Sequence, residues 1–584
     1  MPVRMRGRVP SIRMWQGAIA LALAATLAPA QAPIDPNAPE PIQAINGSLV
    51  IVGGGGTTDP IWARFRALAG GDTARIVIVP TAAQTVDTAP GAETRYYAEK
   101  LRLTDVVMLH TRSRDVANAE AFVAPLRRAT GVWFIGGQQS RITDAYLGTK
   151  TEQELHALLG RGGVIGGTSA GAAIMSKVMI TGQRVVNGDT VATVGQGFGF
   201  LPGAVADQHF VRRNRQGRLI GVLKAHPGLV GFGVDERTAL IVYAGRRLEV
   251  IGESEVRVIQ SANDWQPLAV RTLTQRRAPA LDSIQDSTAR ARAQAAANRP
   301  GYQADLIALS REAQARTRSR FPALEPPAPE VRKGTLVIVG GGGTPEGMWE
   351  RFISLAGGPN AKIVVVPTAN AAAEGDSTIP GEVRALRAAG ATNVHVVHTR
   401  LRSRSNGDEA LLGLVRGAGG VWFGGGRQWN LVDSYQNTTL HRLFLDVLER
   451  GGVIGGSSAG ASIQGDYMAR GDPLGPNQIL APGYETGLGF LQGVIIDQHF
   501  TQRNRHPNMS EAMRAYPQIL GIGLDERTAI VVQGSVAEVI GPGNVAIYDR
   551  RLPVREGEKD HFNLTAGARF DLKARRIVEV TPRR

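Results

Sequence analysis

The sequence predicts an α/β protein made of two tandem αβα sandwich domains with mainly parallel sheets. Three observations predict it. The first is a nine-residue stretch that occurs twice, as Gly163-Val164-Ile165-Gly166-Gly167-Thr168-Ser169-Ala170-Gly171 and as Gly452-Val453-Ile454-Gly455-Gly456-Ser457-Ser458-Ala459-Gly460. A short apolar run, a glycine-rich turn and a small-residue segment, Ala172-Ala173-Ile174-Met175, read as buried strand, tight turn and helix. The second observation is that many other segments recur in the same order. The third is that apolar β-branched runs alternate with helical stretches such as 62–69 and 152–159, the pattern of a parallel sheet covered by helices on both faces.

In chain order, the run Gly47–Gly56 returns as Gly334–Gly343, Ile76–Thr81 as Ile363–Thr368, and Gly131-Val132-Trp133-Phe134 as Gly420-Val421-Trp422-Phe423. The repeated nine residues follow. After them come Asp207-Gln208-His209-Phe210 with Asp497-Gln498-His499-Phe500, and Gly233–Ala239 with Gly523–Ala529. The offset drifts only from 287 to 290 residues, so a whole domain is duplicated rather than a solenoid unit. In such folds sites gather beyond the carboxyl ends of the strands, where all these glycine-rich turns fall. The tetraglycine Gly53–Gly56 lacks the Gly-Lys-Ser/Thr ending of a phosphate loop and the Gly-x-x-Gly spacing of a dinucleotide turn. It reads as a turn that lets the backbone approach the site.

At 584 residues, with 43% hydrophobic and 20% charged residues, the chain is long enough for more than one ordinary globular core. It has no cysteine, which excludes a thiolate nucleophile, a thiolate metal site and disulfides. Ten histidines include no His-x-x-x-His pair, so no metal is implied, and no motif asks for an organic cofactor. The net charge of +15 draws on Arg4, Arg6, Arg8 and Arg13 near the N-terminus and on an Arg-rich central run. No aromatic-basic module accompanies it, so the reading is a diffusely basic surface without a nucleic-acid partner.

Residues 1–32 have the parts of a secretory signal: a basic segment, an apolar core at Gly17–Leu27, and small residues at Ala28-Pro29-Ala30-Gln31-Ala32. Cleavage after Ala30 or Ala32 fits the small-x-small rule, so the expected location is secreted or periplasmic, with no membrane attachment after cleavage. The first domain is assigned to 33–275, a linker to 276–330 and the second domain to 331–584. Within the linker, Ser287–Ala297 and Leu306–Arg318 read as helical, Pro300-Gly301 separates them, and Phe321–Pro329 is an extended proline-rich spacer. Whether the linker packs on either domain is not encoded in any pattern of its residues.

A serine between glycines at a strand-to-helix turn is the arrangement of a nucleophile elbow, Gly-x-Ser-x-Gly. With 72 glycines in the chain one such match is cheap, but two behind the same strand are not. A serine hydroxyl is a poor nucleophile unless a base takes its proton and a third group orients the base. Each copy offers one base, His209 or His499, at 40 or 41 residues beyond Ser169 or Ser458. Each also offers an acid pair 26 to 27 residues later, Asp235-Glu236 or Asp525-Glu526. Serine, histidine and acid thus recur together, in one order, twice.

Gly-Gly-Thr-Ser-Ala-Gly-Ala, Asp-Gln-His-Phe with trailing arginines, and Gly-x-Gly-x-Asp-Glu-x-Thr-Ala together resemble the cyanophycinases. These belong to the S51 serine peptidases, together with the aspartyl dipeptidase peptidase E. The resemblance covers both copies and omits the leader and linker. It implies a fold like class I glutamine amidotransferases with serine in place of the cysteine nucleophile. By position it implies Ser169 and Ser458 as nucleophiles and His209 and His499 as bases. Glu236 and Glu526 are the implied orienting acids, with Asp235 and Asp525 as second choices. It puts the oxyanion at the amides of Ala170 and Ala459 with Gly137 and Gly426. It lines the substrate cleft with Gln139, Asp207, Gln208 and Arg213 in the first copy, and with Gln428, Asp497, Gln498 and Arg503 in the second.

Two departures bear on the substrate. Where cyanophycinases tend to carry Gly-Gly-Asp-Gln, this chain has Gly136-Gly137-Gln138-Gln139 and Gly425-Gly426-Arg427-Gln428. The first copy keeps Arg213-Asn214-Arg215-Gln216-Gly217-Arg218-Leu219, whereas the second has Arg503-Asn504-Arg505-His506-Pro507-Asn508-Met509 and loses Gly-Arg-Leu. The expectation is an exported, cyanophycinase-like serine hydrolase that cleaves peptide or isopeptide bonds at aspartyl residues through Ser-His-Glu triads, with cyanophycin as a candidate substrate. The alternatives are an aspartyl dipeptidase or other acyl hydrolase of the same fold, and an exported binding protein that keeps only the shape of the site. The two domains are expected to pair within one chain, as a pseudo-twofold unit joined by a linker long enough to bridge them even as a flexible coil.

Overall fold

Both copies begin with the same apolar strand, and both bury it at the middle of a sheet. In the computed structural model, which describes residues 45–86, 90–186, 189–276, 301–370, 380–553 and 558–578, these are Ser48–Val52 and Val331–Val339. Leu49, Val50, Ile51 and Val52 are fully buried, as a strand covered on both faces requires. In the first copy five strands run parallel in the spatial order Val106–Met108, Ile76–Val79, Gly131–Phe134, Val164–Thr168 and Ser48–Val52. Thr238–Tyr243 and Arg247–Gly252 extend that sheet antiparallel. The second copy repeats the order with Val394–Val396, Ile363–Val366, Gly420–Phe423, Val453–Ser457, Val331–Val339, Ala529–Gly534 and Val536–Ile540.

The layers differ from a plain αβα sandwich on one side. Helices Asp59–Leu68 and Pro90–Leu101 cover one face of the first copy's sheet, through Ile61, Trp62, Phe65 and Leu101. The other face is shared between the helices Gln139–Tyr146 and Lys150–Gly160 and a second, four-stranded sheet. That sheet joins Ala204–Asp207 and Val230–Val234 in parallel to the antiparallel Glu255–Gln260 and Ala269–Thr274. Its Ala206, Phe232 and Val258 share a core with Leu49, Ile51 and Ile165 of the main sheet. The histidine and the acid pair both follow strands of this second sheet, which brings them over the main sheet on the side of the serine.

The segment assigned to the linker is folded over residues 301–330. Ala304–Asp305 pairs with Arg247 and Leu248 at the edge of the first copy's sheet. Asp305 then caps the helix Leu306–Ala315 by accepting from the Ala308 N–H at 2.9 Å. Leu306, Leu309 and Ala313 of that helix join the first copy's core. Further on, Phe321 stacks on Tyr467 at 5.9 Å and Gln518 Nε2 donates to the Ala323 carbonyl at 3.1 Å, both on the second copy. The expected helix at Leu306–Arg318 is present as Leu306–Ala315, and the linker packs on both copies. The expected helix at Ser287–Ala297 and the leader at 1–32 lie outside the described residues.

The copies differ most between the elbow and the histidine. The first copy forms a ribbon, Val178–Val186 with Asp189–Gln196, where the second has the short strand Gly465–Met468 and a long loop to residue 487. The two copies also meet through unlike surfaces. The turn at Arg246 and the linker helix face the helix Gln428–Tyr435 and residues 483–487 of the second copy. A pseudo-twofold pair would repeat each contact with the copies exchanged. The first copy's counterparts of Trp429 and Asp433 are instead Ser140, bonded to Gln138, and an exposed Asp144. Among the described residues no helix is long and apolar enough to cross a membrane.

Leu306 is fully buried although it lies in the linker, so Leu306→Ala should cost about 2–5 kcal/mol in denaturant unfolding. A loss below about 1 kcal/mol would show that the linker helix does not belong to the first core.

Candidate active site

The elbow serine is held in a conformation that serine avoids. Ser169 has φ 53° and ψ −106° between the strand Val164–Thr168 and the helix Ala170–Ala173, and Ser458 has φ 57° and ψ −113°. Such backbone persists only where the surroundings over-determine it. Here they do: a Cβ on Gly167 would lie 2.5 Å from the Gly171 carbonyl oxygen, and one on Gly171 would lie 2.4 Å from that of Phe134. Strand, turn and helix are too close for side chains at either glycine, and the serine is forced outward between them.

The three candidate residues of each copy form one hydrogen-bond chain. Ser169 Oγ lies 3.0 Å from His209 Nε2, and His209 Nδ1 lies 2.6 Å from Glu236 Oε1. The second copy repeats this with Ser458 Oγ 2.9 Å from His499 Nε2 and His499 Nδ1 2.6 Å from Glu526 Oε1. Nδ1 faces a carboxylate oxygen and donates to it, which leaves Nε2 to accept from the serine hydroxyl. Burial pushes both imidazoles below the usual histidine range; the Glu236 and Glu526 contacts oppose this, while Arg213 and Arg503 reinforce it. An imidazole so placed is neutral at neutral pH, with Nε2 able to accept a proton.

The acid pairs divide their work. Asp235 does not touch the histidine. Its carboxylate accepts from the Val211 and Arg212 N–H groups at 3.0 and 2.9 Å and from Ser254 Oγ at 2.7 Å. Asp525 likewise accepts from the Thr501 N–H at 2.9 Å and the Asn544 N–H at 3.0 Å. Each aspartate ties down the turn that follows the histidine, and each glutamate meets the ring.

The tetraglycine is the floor beneath this chain. A Cβ on Gly54 would lie 2.3 Å from His209 Cε1, and one on Gly55 would lie 2.7 Å from Glu236 Cβ. In the second copy Gly341 and Gly342 meet His499 Cε1 at 2.4 Å and Glu526 Oε2 at 2.5 Å in the same way. The His209 N–H donates to the Gly53 carbonyl at 2.7 Å and the Arg237 N–H to that of Gly54 at 2.7 Å. Backbone alone therefore sets where the imidazole and its acid sit.

The amide candidates lie beside the serine. Ala170 opens its helix, so its N–H has no intrahelical acceptor. A Cβ on Gly136 would lie 3.5 Å from Ser169 Cβ, and Gly137, at φ 141°, is pressed against the Ala82 carbonyl. Gly425, Gly426 and Ala459 occupy the same places around Ser458.

Most of the expected lining residues are already engaged. Gln139 Nε2 donates to the Ile180 and Thr181 carbonyls, and Gln428 Nε2 to that of Ala469. Asp207 is fully buried and accepts from Arg218, with Nε at 2.8 Å, while Asp497 accepts from Arg470 and Arg505. Gln498 Oε1 accepts from Arg505 Nη1 at 2.8 Å, whereas the buried Gln208 Oε1 has no hydrogen-bond partner among the described residues. Arg213 and Arg503 are exposed near their histidines. Arg427, where the first copy has an exposed Gln138, donates to the Asp472 carbonyl. Among the described residues no cluster of three or more His, Asp or Glu side chains could hold a metal ion.

One group behind the glycine loop escaped the reading of the sequence. Thr81 Oγ1 lies 2.9 Å from His110 Nδ1 and 2.6 Å from the Tyr146 hydroxyl, and Arg112 and Arg141 donate to the Ala83 and Ala82 carbonyls. Thr368, His398 and Tyr435 repeat the arrangement. Together these bonds fix the loop that presses on Gly137 or Gly426. The recurrence of His110-Thr111-Arg112 as His398-Thr399-Arg400 was the signal for it.

Comparison with known proteins settles the family. The sequence model of peptidase family S51 matches residues 49–251 and again 332–540. The chain belongs to peptidase family S51. It is therefore a serine-type peptidase carrying two tandem copies of the family's domain. Among curated relatives it is 32% identical over 228 residues to the cyanophycinase of Nostoc sp., covering 37% of this chain and 74% of that one. It is 33% identical over 216 residues to the cyanophycinase of Synechococcus elongatus, covering 35% of this chain and 66% of that one. Each alignment thus spans about one copy. Among solved structures, a peptidase from an acI-B1 Actinobacterium is 22% identical, covering 40% of this chain and 96% of that one with a TM-score of 0.32.

Two outcomes follow from this S51 geometry. In a Ser458→Ala chain, Gly54→Ala should abolish hydrolysis while the chain stays folded, because its Cβ needs the space of the imidazole. Retained turnover would mean that His209 is not the base. In the same background the acid limb of kcat/KM, which reports the free base, should lie below the ordinary histidine value of 6.5. Activity should be lost only as the pH falls through the lowered value, and a limb at or above pH 6.5 contradicts the burial effect.

Proposed function

We propose that each copy is a Ser-His-Glu hydrolase cleaving peptide or isopeptide bonds at aspartyl residues, as a cyanophycinase does. The observation that carries this is the hydrogen-bond chain from Ser169 through His209 to Glu236, repeated at Ser458, His499 and Glu526. Ser169 Oγ attacks the scissile carbonyl as its proton passes to His209 Nε2, and Glu236 stabilises the imidazolium through Nδ1–H. The oxyanion of the tetrahedral adduct accepts from the N–H groups of Ala170 and Gly137, where loss of one donor costs about 100- to 1,000-fold. His209 then gives its proton to the leaving amine, which departs and leaves an ester on Ser169. Water, deprotonated by the same histidine, cleaves that ester and restores the serine.

For the substrate, the unpartnered Gln208 Oε1 supports a hydrogen bond from a cationic or amide group, and the exposed Arg213 supports a contact with a carboxylate. An arginine-bearing aspartyl substrate offers both. Asp207 and Gln139 then act by holding Arg218 and the neighbouring strand. The second copy, with Gln498 bonded to Arg505 and Arg427 in place of Gln138, is read as the more altered site. Residues 1–32 are read as an export signal, so the substrate is met outside the cytoplasm. A binding protein would have no use for a neutral histidine between a serine and a carboxylate, which disfavours that alternative.

The leaderless chain should release amine from cyanophycin, and Ser169→Ala combined with Ser458→Ala should remove that release without unfolding the chain. Full turnover in the double variant would overturn the mechanism. Release from α-aspartyl dipeptides alone would instead select the aspartyl dipeptidase alternative.

A further inference from the structure

The interface between the copies reaches the second site but not the first. Arg246, at the turn after Thr238–Tyr243, extends out of the first copy. It donates from Nε to Asp305 at 2.6 Å, from Nη1 to Asp433 Oδ2 at 2.8 Å and from Nη2 to the Tyr484 hydroxyl at 2.7 Å. Its guanidinium also stacks 4.2 Å from the centroid of the Trp429 ring. Tyr484 in turn donates to Asp433, so three polar side chains close around one partly buried cation. Arg311 of the linker helix adds a bond to the Gly483 carbonyl at 3.0 Å and another to Gln436.

What these arginines grip leads directly to the second site. Trp429 and Asp433 lie on the helix Gln428–Tyr435, and Gln436 caps its end. The residues before that helix are Gly425, beside Ser458 Cβ, and Gly426, the proposed oxyanion donor. Six residues lie between Gly426 and Asp433, and their helical part from Gln428 to Asp433 is roughly 7 to 8 Å long. Gln436 also donates to the Thr486 and Gly487 carbonyls, so the end of the loop that replaces the first copy's ribbon is held by the same contacts. Within each copy an arginine already holds this helix end, Arg114 on the Asp144 carbonyl and Arg402 on the Asp433 and Gln436 carbonyls. Among the described residues only the second copy adds a grip from the other copy and the linker, while the Asp144 side chain is exposed.

We propose that Arg246 and Arg311 are positioning residues for the second site, so that the first copy and the linker set the placement of the glycine loop at Gly426 while the first site works alone. The proposal rests on the functional reading above. A single helix pinned at one end by a partly buried guanidinium and abutting the nucleophile at the other transmits displacement rather than absorbing it. Small misplacements of a group that stabilises the transition state lower kcat with little change in KM.

The test measures amine release from cyanophycin by full-length chains carrying Arg246→Ala in two backgrounds. In Ser169→Ala, which reports the second site, kcat should fall about 10- to 100-fold with KM nearly unchanged. In Ser458→Ala, which reports the first site, both constants should stay within about twofold of that background. Asp433→Asn, which keeps the shape and removes the charge, should lower the second site's kcat in the same direction. Equal losses at both sites would show a general loss of stability and overturn the proposal. So would an unchanged second site, or a Ser169→Ala chain with no turnover to position. Turnover surviving Ser169→Ala with Ser458→Ala would instead overturn the functional reading itself.

Discussion

Both sites depend on one constraint: the backbone of a glycine run passes directly beneath an imidazole. At Gly54 and Gly341 the ring lies where any Cβ would stand, and at Gly55 and Gly342 the same is true of the glutamate. The contact is closed by backbone bonds from His209 and Arg237 to Gly53 and Gly54. A side-chain support could shift between rotamers, but a backbone at the end of a buried central strand cannot do so without moving the sheet. The serine approaches from the neighbouring strand, to which Ser48–Val52 is paired in register. The distance from nucleophile to base is thus set by strand pairing, and the distance from base to acid by the glycine floor.

Around that fixed centre the copies have diverged by exchanging parts. The buried Asp207 needs a guanidinium, since an unpaired buried carboxylate costs about 3–5 kcal/mol. In the first copy Arg218 of the helix Gln216–Ala225 supplies it. The second copy has Asn508 at that position, and Arg470, from the segment after the elbow, reaches Asp497 instead, with Asn508 accepting from its Nη2 at 3.1 Å. The lost Gly-Arg-Leu is therefore compensated from another element. The same segment forms a ribbon packed within the first copy and a loop held against the interface in the second.

Much of this was legible in the sequence. The duplication, the parallel core and the elbows follow from local patterns that packing only reinforces, such as the Gly163–Gly171 stretch and the runs at Gly47 and Gly334. The chain of serine, histidine and acid was legible because it recurs in order. The choice between Asp235 and Glu236 was not, because both stand at the same strand end and only the turn geometry decides which one reaches the ring. The second sheet, the Arg470 exchange and the Thr81, His110 and Tyr146 support were also not legible, since each joins residues far apart in the chain. The helix of the linker was legible, but its packing was not, for a physical reason. Leu306, Leu309 and Ala313 are apolar enough to finish a core, but their Arg- and Gln-rich neighbours resemble a solvated spacer.

The central claim is that one chain holds two complete catalytic serines on two equivalent frames. The direct measurement is stoichiometric labelling of the native chain with an acylating serine-hydrolase probe, followed by peptide mapping. The account predicts two acyl groups per chain, one on Ser169 and one on Ser458, with both lost when the chain is unfolded first. Labelling of other serines, or of neither elbow in the folded chain, would contradict it.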